Sequence, residues 1–455
     1  MPDRAINEVL DAPSHDRSVP LLSLSGFGVA FGEKTVLADI NLELPECGVT
    51  LLLGPSGTGK STLLRTLAGF NDANPNLRTW GRASYRGKPL DSTVKRPVLA
   101  AQNARLMMAS ILENIVHDLP GRGHLSPRQQ RELAVTMLES AGLQELVDRI
   151  DEPVIQLELA QQRHLGIMRL AATGAPLLLI DEPSANISEA DADRILEFIA
   201  SKSASRSVFL AVHNQIHARQ IGGDAVLIAG GIVQEKAPTD TFFSTPVTEA
   251  GRAFVRTGSC SVPAPDTDPD ALDASTPPPA KTPAAARNFA NTNFGPRGFL
   301  WLEKGRLAGM PGLGLYGDLD DDLKALRNVG VTTLISLTET PPDTARMTGF
   351  GIESIWCPFR DEAAPAITQA VGLCKQIQEI TGNEGIVAIQ CCAGLGRTGT
   401  ILAAFLIWEG SEALDALETV RQMEPGWVQS EVQAKFLERY ALFLTGRNHT
   451  SRLKN

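Results

Sequence analysis

The sequence predicts an α/β protein of two domains joined by an unstructured linker. Three observations carry this. Short apolar runs such as "GVTLLLG", "PLLLIDEP", "TTLISLTE" and "GIVAIQ" alternate with helix-like stretches, the pattern of strands buried on both faces of a mainly parallel sheet. One stretch rich in Pro, Ala, Asp and Thr, "SVPAPDTDPDALDASTPPPAKTPAAA", interrupts that pattern. Two glycine-rich loops, Gly54–Thr62 and Cys391–Arg397, lie on either side of it, each between an apolar strand and a helix.

These features divide the chain. Residues 1–19 form a polar tail without the apolar core of a signal peptide. The first domain covers 20–258. The linker covers 259–288, because its composition cannot bury enough apolar surface to offset its ordering entropy. The second domain covers 289–447, and 448–455 form a short tail. Within the first domain, Ser126-Pro127 followed by Gln129 predicts a capped helix start. In the second, "DDDLKALRNVG" predicts a helix ended by Gly330.

The 455 residues carry a formal net charge of −10, with 43% hydrophobic and 21% charged residues. An acidic chain without a basic block is a poor nucleic-acid binder, since phosphate backbones require clustered Lys and Arg. The six cysteines have neither disulfide-framework nor zinc-site spacing. No apolar run reaches the ~20 residues that a membrane span needs. The expectation is a cytoplasmic chain, with a peripheral place at the inner membrane face open through a partner.

The first loop, "GPSGTGKST", follows a buried strand and opens a helix, as the GxxxxGK[ST] motif requires. Gly54, Ser56, Gly57, Thr58, Gly59 and Thr62 supply backbone N–H groups that curl around phosphates, and Pro55, which has no N–H, belongs to the same loop. Lys60 adds a point charge, and Ser61 can ligate Mg²⁺. "LLLIDEP" places Asp181 at a strand end for the metal shell and Glu182 for the attacking water. Gln102 follows another strand, where it can sense metal and water, and His213 ends a further strand within reach of a terminal phosphate.

This set, in this order, resembles the ATP-binding cassette family across about Leu21 to Phe254. The resemblance implies ATP and Mg²⁺ as cofactors and gives Phe31 the position of the aromatic that stacks on adenine. It further implies a homodimer or heterodimer of ATPase domains, with a permease or a second cassette subunit as partner. One element departs. The family's LSGGQ signature, which completes the partner subunit's ATP site, reads "LELAQ" here. Glu158 replaces a hydroxyl, and Leu159 and Ala160 replace glycines. A carboxylate repels phosphate oxygens, and side chains hinder close backbone approach. ATP binding is expected to be intact and activation of a partner site impaired.

The second loop, "CCAGLGR", is C-x-x-x-x-x-R followed by Thr398 and Gly399. A cysteine there faces a ring of N–H donors and a helix N-terminus, a setting that favours the nucleophilic thiolate. Arg397 closes the ring with a planar fork that fits two phosphoryl oxygens. Thr398 can donate to the sulfur as it leaves. "CPFRDEAAP" offers Asp361 as the general acid, with Glu362 as its substitute. The loop resembles that of cysteine-dependent protein phosphatases, the dual-specificity branch in particular, from about Phe299 to Leu444. By that match Cys391 is the nucleophile, Arg397 the phosphate clamp and Asp361 the acid. Cys392, Ala393, Gly394, Leu395 and Gly396 line the phosphate, and Gln433 helps to position water. Gln390 stands where the family has histidine. Cys392 and Leu395 are uncharged where inositol-lipid phosphatases carry lysines, which favours a phosphomonoester of modest charge: phosphotyrosine, phosphoserine or phosphothreonine, with a small molecule open.

The expected protein is therefore bifunctional, an ATPase and a phosphomonoester phosphatase. The alternatives are a transport subunit with a regulatory phosphatase domain, and a nucleotide switch joined to a small-molecule phosphatase or a pseudophosphatase.

Overall fold

The computed structural model describes residues 20–92, 96–101, 110–117, 119–268, 270, 272, 277–281, 283, 295–315 and 317–452, with side chains to residue 446. In chain order the first domain comprises β1 (Leu22–Phe31), β2 (Lys34–Leu44), β3 (Gly48–Leu53), α1 (Lys60–Leu67), β4 (Leu77–Tyr85), β5 (Lys88–Pro89) and β6 (Val98–Ala100). Helices α2 (Ile111–Val116), α3 (Pro127–Ser140) and α4 (Leu159–Ala172) follow, then β7 (Leu177–Asp181), α5 (Glu189–Ser203), β8 (Ser207–Ala211) and α6 (Gln215–Ile221). The hairpin β9 (Asp224–Ala229) and β10 (Ile232–Pro238), with α7 (Thr239–Ser244) and α8 (Glu249–Thr257), closes the domain.

Its described strands form one sheet in the order β5-β4-β1-β2-β10-β9-β3-β8-β7-β6. The neighbours β9, β3, β8, β7 and β6 are parallel, and β7 and β8 are buried along their whole length. That burial explains why these strands read as unbroken apolar runs. The start of α3 is capped as expected: Ser126 N donates to Gln129 Oε1 (2.9 Å), and Gln129 N donates to Ser126 Oγ (3.4 Å).

The second domain comprises β11 (Leu300–Glu303), β12 (Leu307–Met310), α9 (Leu319–Asn328), β13 (Thr333–Ser336), α10 (Thr344–Gly349), β14 (Glu353–Trp356) and α11 (Ile367–Gly382). After β15 (Val387–Gln390) come α12 (Gly396–Trp408), α13 (Ala413–Met423) and α14 (Glu431–Arg452). The sheet order is β11-β12-β15-β13-β14, so β15 is central and the loop after it emerges mid-sheet. Helix α12 is buried almost all round, as an apolar helix enclosed by its neighbours must be.

The start of the linker stretch departs from the expectation of an unstructured segment. Asp266 accepts a hydrogen bond from Thr35 N (2.6 Å). Val262 and Pro265 pack so closely on the Gly230–Gly231 turn that a Cβ on either glycine would lie 2.4 or 2.5 Å from them. The physical reason is that this proline-rich run covers a bare hairpin turn instead of building a core. The two domains also touch. Trp301 N donates to Ala73 O (2.8 Å), and Arg169 of α4 pairs with Glu418 of α13.

Candidate active sites

The first site forms where neighbouring parallel strands end. Because β3, β8 and β7 are adjacent, their C-terminal ends bring the loop after Leu53, His213 and Asp181 to one edge of the sheet, where open α/β sheets bind ligands. Gly54 has φ 148°, and a Cβ there would sit 2.2 Å from Ile228 O, so only glycine fits. Gly57 and Gly59 also have positive φ. Thr58 Oγ1 donates back to Pro55 O (2.9 Å). Ser56, Gly57 and Ser61 are exposed at the loop mouth, with Thr62 half-buried behind them.

Lys60 is buried and folds into the loop, its Nζ donating to Gly54 O (2.8 Å) and Pro55 O (2.9 Å). Burial pushes its pKa down, while Glu182 and Asp181 pull it back up. Asp181 is buried, and its Oδ1 has no partner among the described residues. Burial raises its pKa, and a hydrogen bond from Ser61 opposes that rise. An orphaned carboxylate oxygen beside a serine hydroxyl and a lysine suits a divalent cation held with phosphates. Glu182, the next residue, has φ 48°, a left-handed conformation that costs energy in a non-glycine residue. His213 is exposed just past β8. Phe31 ends β1, half-buried against the core. Gln102 lies outside the described residues.

The divergent signature caps α4. Glu158 is its N-cap, and its N–H donates to Gln161 Oε1 (3.3 Å). Glu158 is exposed, Leu159 is 45% exposed and Ala160 is buried. Arg163 lies one turn on. It is buried, with Nη1 donating to Pro183 O (3.0 Å) and Ala185 O (2.5 Å), which ties α4 to the segment after Glu182.

The second site follows β15. Cys391 is buried at the foot of the loop, and Cys392 and Ala393 are exposed at its rim. Gly394 has φ 71°, and a Cβ there would lie 2.4 Å from Pro311 N. Leu395 is half-buried beside Gly426. Gly396 faces Gln429 and Gln433, with no room for a larger residue. Arg397 is 2% exposed. Its Nη1 donates to Phe359 O (3.0 Å) and Leu337 O (3.3 Å), and its Nη2 lies 3.4 Å from Cys392 Sγ. Asp361 Oδ1 stands 3.1 Å from Arg397 Nε, an ion pair too bent to be a hydrogen bond. Thr398 Oγ1 is buried with no partner among the described residues. Gln390 Oε1 accepts from Leu313 N (3.0 Å), which ties the loop to its neighbour without charge.

Gln433 is fully buried and its amide bonds backbone: Oε1 accepts from Gln429 N (2.9 Å) and Ser430 N (3.2 Å), and Nε2 donates to Ala363 O (3.2 Å). With Ser430 Oγ donating to Glu362 O (2.6 Å), it braces the segment that carries Asp361. Glu362, the substitute acid, is exposed at φ 56°. A cleft of about 490 Å³ opens beside the loop, between Gln390 and Cys392 on one side and Leu313, Leu315, Thr338, Pro341 and Pro342 on the other.

Comparison with known proteins finds a family match for each domain. Residues 37–185 match the ABC transporter family, and residues 308–411 match a family described as polymorphic toxin system, DSP-PTPase phosphatase. A phosphate import ATP-binding protein, PstB 2, of Bacillus licheniformis is 30% identical over 243 residues, 52% of this chain and 88% of that protein. PstB 2 of Mycobacterium tuberculosis is 31% identical over 240 residues, 51% of this chain and 86% of that protein. PstB of Colwellia psychrerythraea is 30% identical over 261 residues, 56% and 94% respectively. The chain belongs to the ABC transporter ATPase family, and to that domain it joins a dual-specificity-type phosphatase domain. It is thus an enzyme with an ATPase half and a phosphatase half.

Proposed function

We propose that the second domain is a phosphomonoesterase working through a cysteinyl-phosphate, beside an ATPase that binds ATP with Mg²⁺. The observation that supports it best is Arg397, buried, anchored on two carbonyls and ion-paired with Asp361 above the loop that starts at Cys391.

In this reading the phosphoryl oxygens take the Arg397 fork and the N–H groups of Cys392 to Gly396, and Asp361, released from its ion pair, takes up a proton from solvent. The Cys391 thiolate attacks phosphorus, the bond to the leaving oxygen breaks, and the Asp361 carboxylic acid gives that oxygen its proton. Water then attacks the thiophosphate, its proton goes to the Asp361 carboxylate, and the S–P bond breaks. Thr398 Oγ1, buried and unpartnered, donates to the departing sulfur. The largely apolar cleft beside Cys392 and the uncharged loop rim favour a phosphotyrosine, phosphoserine or phosphothreonine side chain over a polyanion.

In the first domain the loop N–H groups, Lys60 and Ser61 hold nucleotide phosphates, with Ser61 and Asp181 placed for the metal. Bound Mg²⁺ supplies charge neutralisation to the phosphates. Glu182 orients water, and Phe31 and His213 flank the nucleotide. A cytoplasmic location fits, and no described helix is long and apolar enough to cross a membrane. A second reading, a transport subunit that docks on a permease at the inner membrane face, is favoured by the phosphate import relatives.

The test is hydrolysis of an aryl phosphate by the full chain, inhibited by vanadate. A folded chain inert towards phosphotyrosine, phosphoserine and phosphothreonine peptides and towards small phosphomonoesters would overturn the catalytic reading.

A further inference from the structure

Helix α13 belongs to the phosphatase domain but is gripped from both sides. Asp415, Glu418, Arg421 and Gln422 recur along one face at helical spacing. Asp415 pairs with His117 Nε2 (2.8 Å), and Glu418 pairs with Arg169 of α4, both in the ATPase domain. One turn further, Arg421 turns inward: its Nε donates to Trp427 O (3.2 Å) and its Nη2 to Val428 O (2.6 Å). The Trp427 indole donates to Gly394 O (2.9 Å) in the phosphate loop, and its body closes on Gly399 so tightly that a Cβ there would lie 2.4 Å away. Val428 is held at φ 63°, an outlier for a β-branched residue. Two hydrogen-bonded steps therefore link α13 to the loop.

The same helix faces the ATP site. Leu417, Glu418 and Arg421 wall an inter-domain cavity of about 240 Å³ whose opposite side includes Arg163, Asp181 and Pro183. Arg163 holds the carbonyls of Pro183 and Ala185, the segment directly after Asp181 and Glu182. A shift of that segment on nucleotide binding would change the wall against which α13 rests.

We propose that α13 couples the two sites: nucleotide occupancy at the Lys60 loop is transmitted through the α4–α13 contact to Arg421, a positioning residue that sets the Cys391–Arg397 loop through Trp427 and Val428. This rests on the phosphatase reading above. Coupling between two binding equilibria is reciprocal, so it can be measured without turnover at either site. The dissociation constant of adenylyl imidodiphosphate with Mg²⁺ is measured on the full chain, with and without saturating tungstate as the phosphate mimic. The expected change is about 5-fold or more, the lower end of ordinary allosteric coupling. It should vanish in Arg397→Ala, which removes the tungstate clamp. It should fall below about 2-fold in Arg169→Glu and in Arg421→Lys, and return in Arg169→Glu/Glu418→Arg, which separates loss of the contact from loss of the fold. Tungstate that binds yet leaves the wild-type nucleotide constant unchanged overturns the coupling alone. An effect that persists in Arg397→Ala overturns it too, by placing tungstate elsewhere. Tungstate that does not bind removes the phosphatase reading and the coupling together.

Discussion

The loop at Gly54–Thr62 and the loop at Cys391–Arg397 each join a strand to the start of a helix, but they hold their cationic side chains differently. Lys60 is folded onto carbonyls of its own loop. Arg397 is propped by carbonyls from two other segments, Leu337 and Phe359. A point charge on a flexible stem can swing to meet a ligand, whereas a planar fork is built in place. The second difference is the nucleophile. In the proposed reading the first loop has none and depends on water placed by a residue outside it; the second contains a buried thiol. Single substitutions should accordingly be more damaging in the second loop than anywhere around the first.

The sharpest break is Cys391→Ser. Removing a covalent nucleophile should cost on the order of 10⁴-fold or more in phosphatase kcat, while nucleotide binding and the cooperative melt of the chain remain. Phosphatase activity within tenfold of wild type would show that the thiol is not the attacking group.

Asp361→Ala should be next, lowering kcat by roughly 10²–10⁴-fold because proton donation acts in the transition state. The loss should shrink when nitrophenolate is the leaving group, which needs little protonation. Equal rates for wild type and variant on an alkyl phosphate would transfer the acid role to Glu362, tested by Glu362→Ala.

What the sequence makes legible follows from this comparison. Both loops could be read because their chemistry lies in contiguous spacing, and the Ser126 cap because its partners sit three residues apart. The supports of the phosphatase loop could not. Arg421 to Val428, Ser430 to Glu362 and Gln433 to Ala363 are side-chain to backbone bonds. Any residue offers the same carbonyl, so the acceptor leaves no trace in the sequence. Gln433 was legible as a polar residue near the site but not as a brace for the segment that carries Asp361. The contact of α13 with α4 rests on Arg169 and Glu418, which lie 249 residues apart and which no local spacing can pair.

The two halves should also differ towards acid. His164 on α4 is buried edge-on to Phe198 (5.1 Å between centroids), and its Nε2 has no partner among the described residues. Burial pushes its pKa down from 6.5 to about 4; Arg194 adds to the fall and Glu145 opposes it. Between these values the unfolded chain binds the proton and the folded chain does not. Stability contributed by neutral His164 is thus complete above about pH 6.5 and is lost as pH falls towards 4, on the order of 3 kcal/mol in all. Residues 295–446 of the phosphatase half contain no histidine. Urea unfolding of the ATPase half, followed at pH 5 and pH 7.5, should show the larger acid loss in wild type and a smaller one in His164→Gln. Identical pH dependence in the two proteins would assign the acid sensitivity elsewhere.

The smallest expected effect concerns the capped start of α4. Glu158 is exposed there as the N-cap, followed by Leu159, whose side chain also faces solvent. In a face-to-face dimer of cassette domains this helix start meets the partner's terminal phosphate, and a carboxylate repels it while leucine holds the backbone away. The unmodified chain should therefore bind ATP yet turn it over slowly, consistent with a nucleotide that serves as a signal. Glu158→Ser with Leu159→Gly and Ala160→Gly restores the family's hydroxyl and its two glycines. Serine is a strong N-cap, so that change alone should not unfold the helix. The glycines cost about 1 kcal/mol each within a helix, a loss the domain's sheet and cores can absorb. Steady-state phosphate release should rise about tenfold if repulsion and backbone access together withhold roughly 1.4 kcal/mol from the closed state, and sedimentation should detect an ATP-dependent dimer. If the unmodified chain already dimerises on ATP without a partner and hydrolyses it as fast as the triple variant, the departure at Glu158 has no mechanistic weight, and the first loop works as in any cassette ATPase.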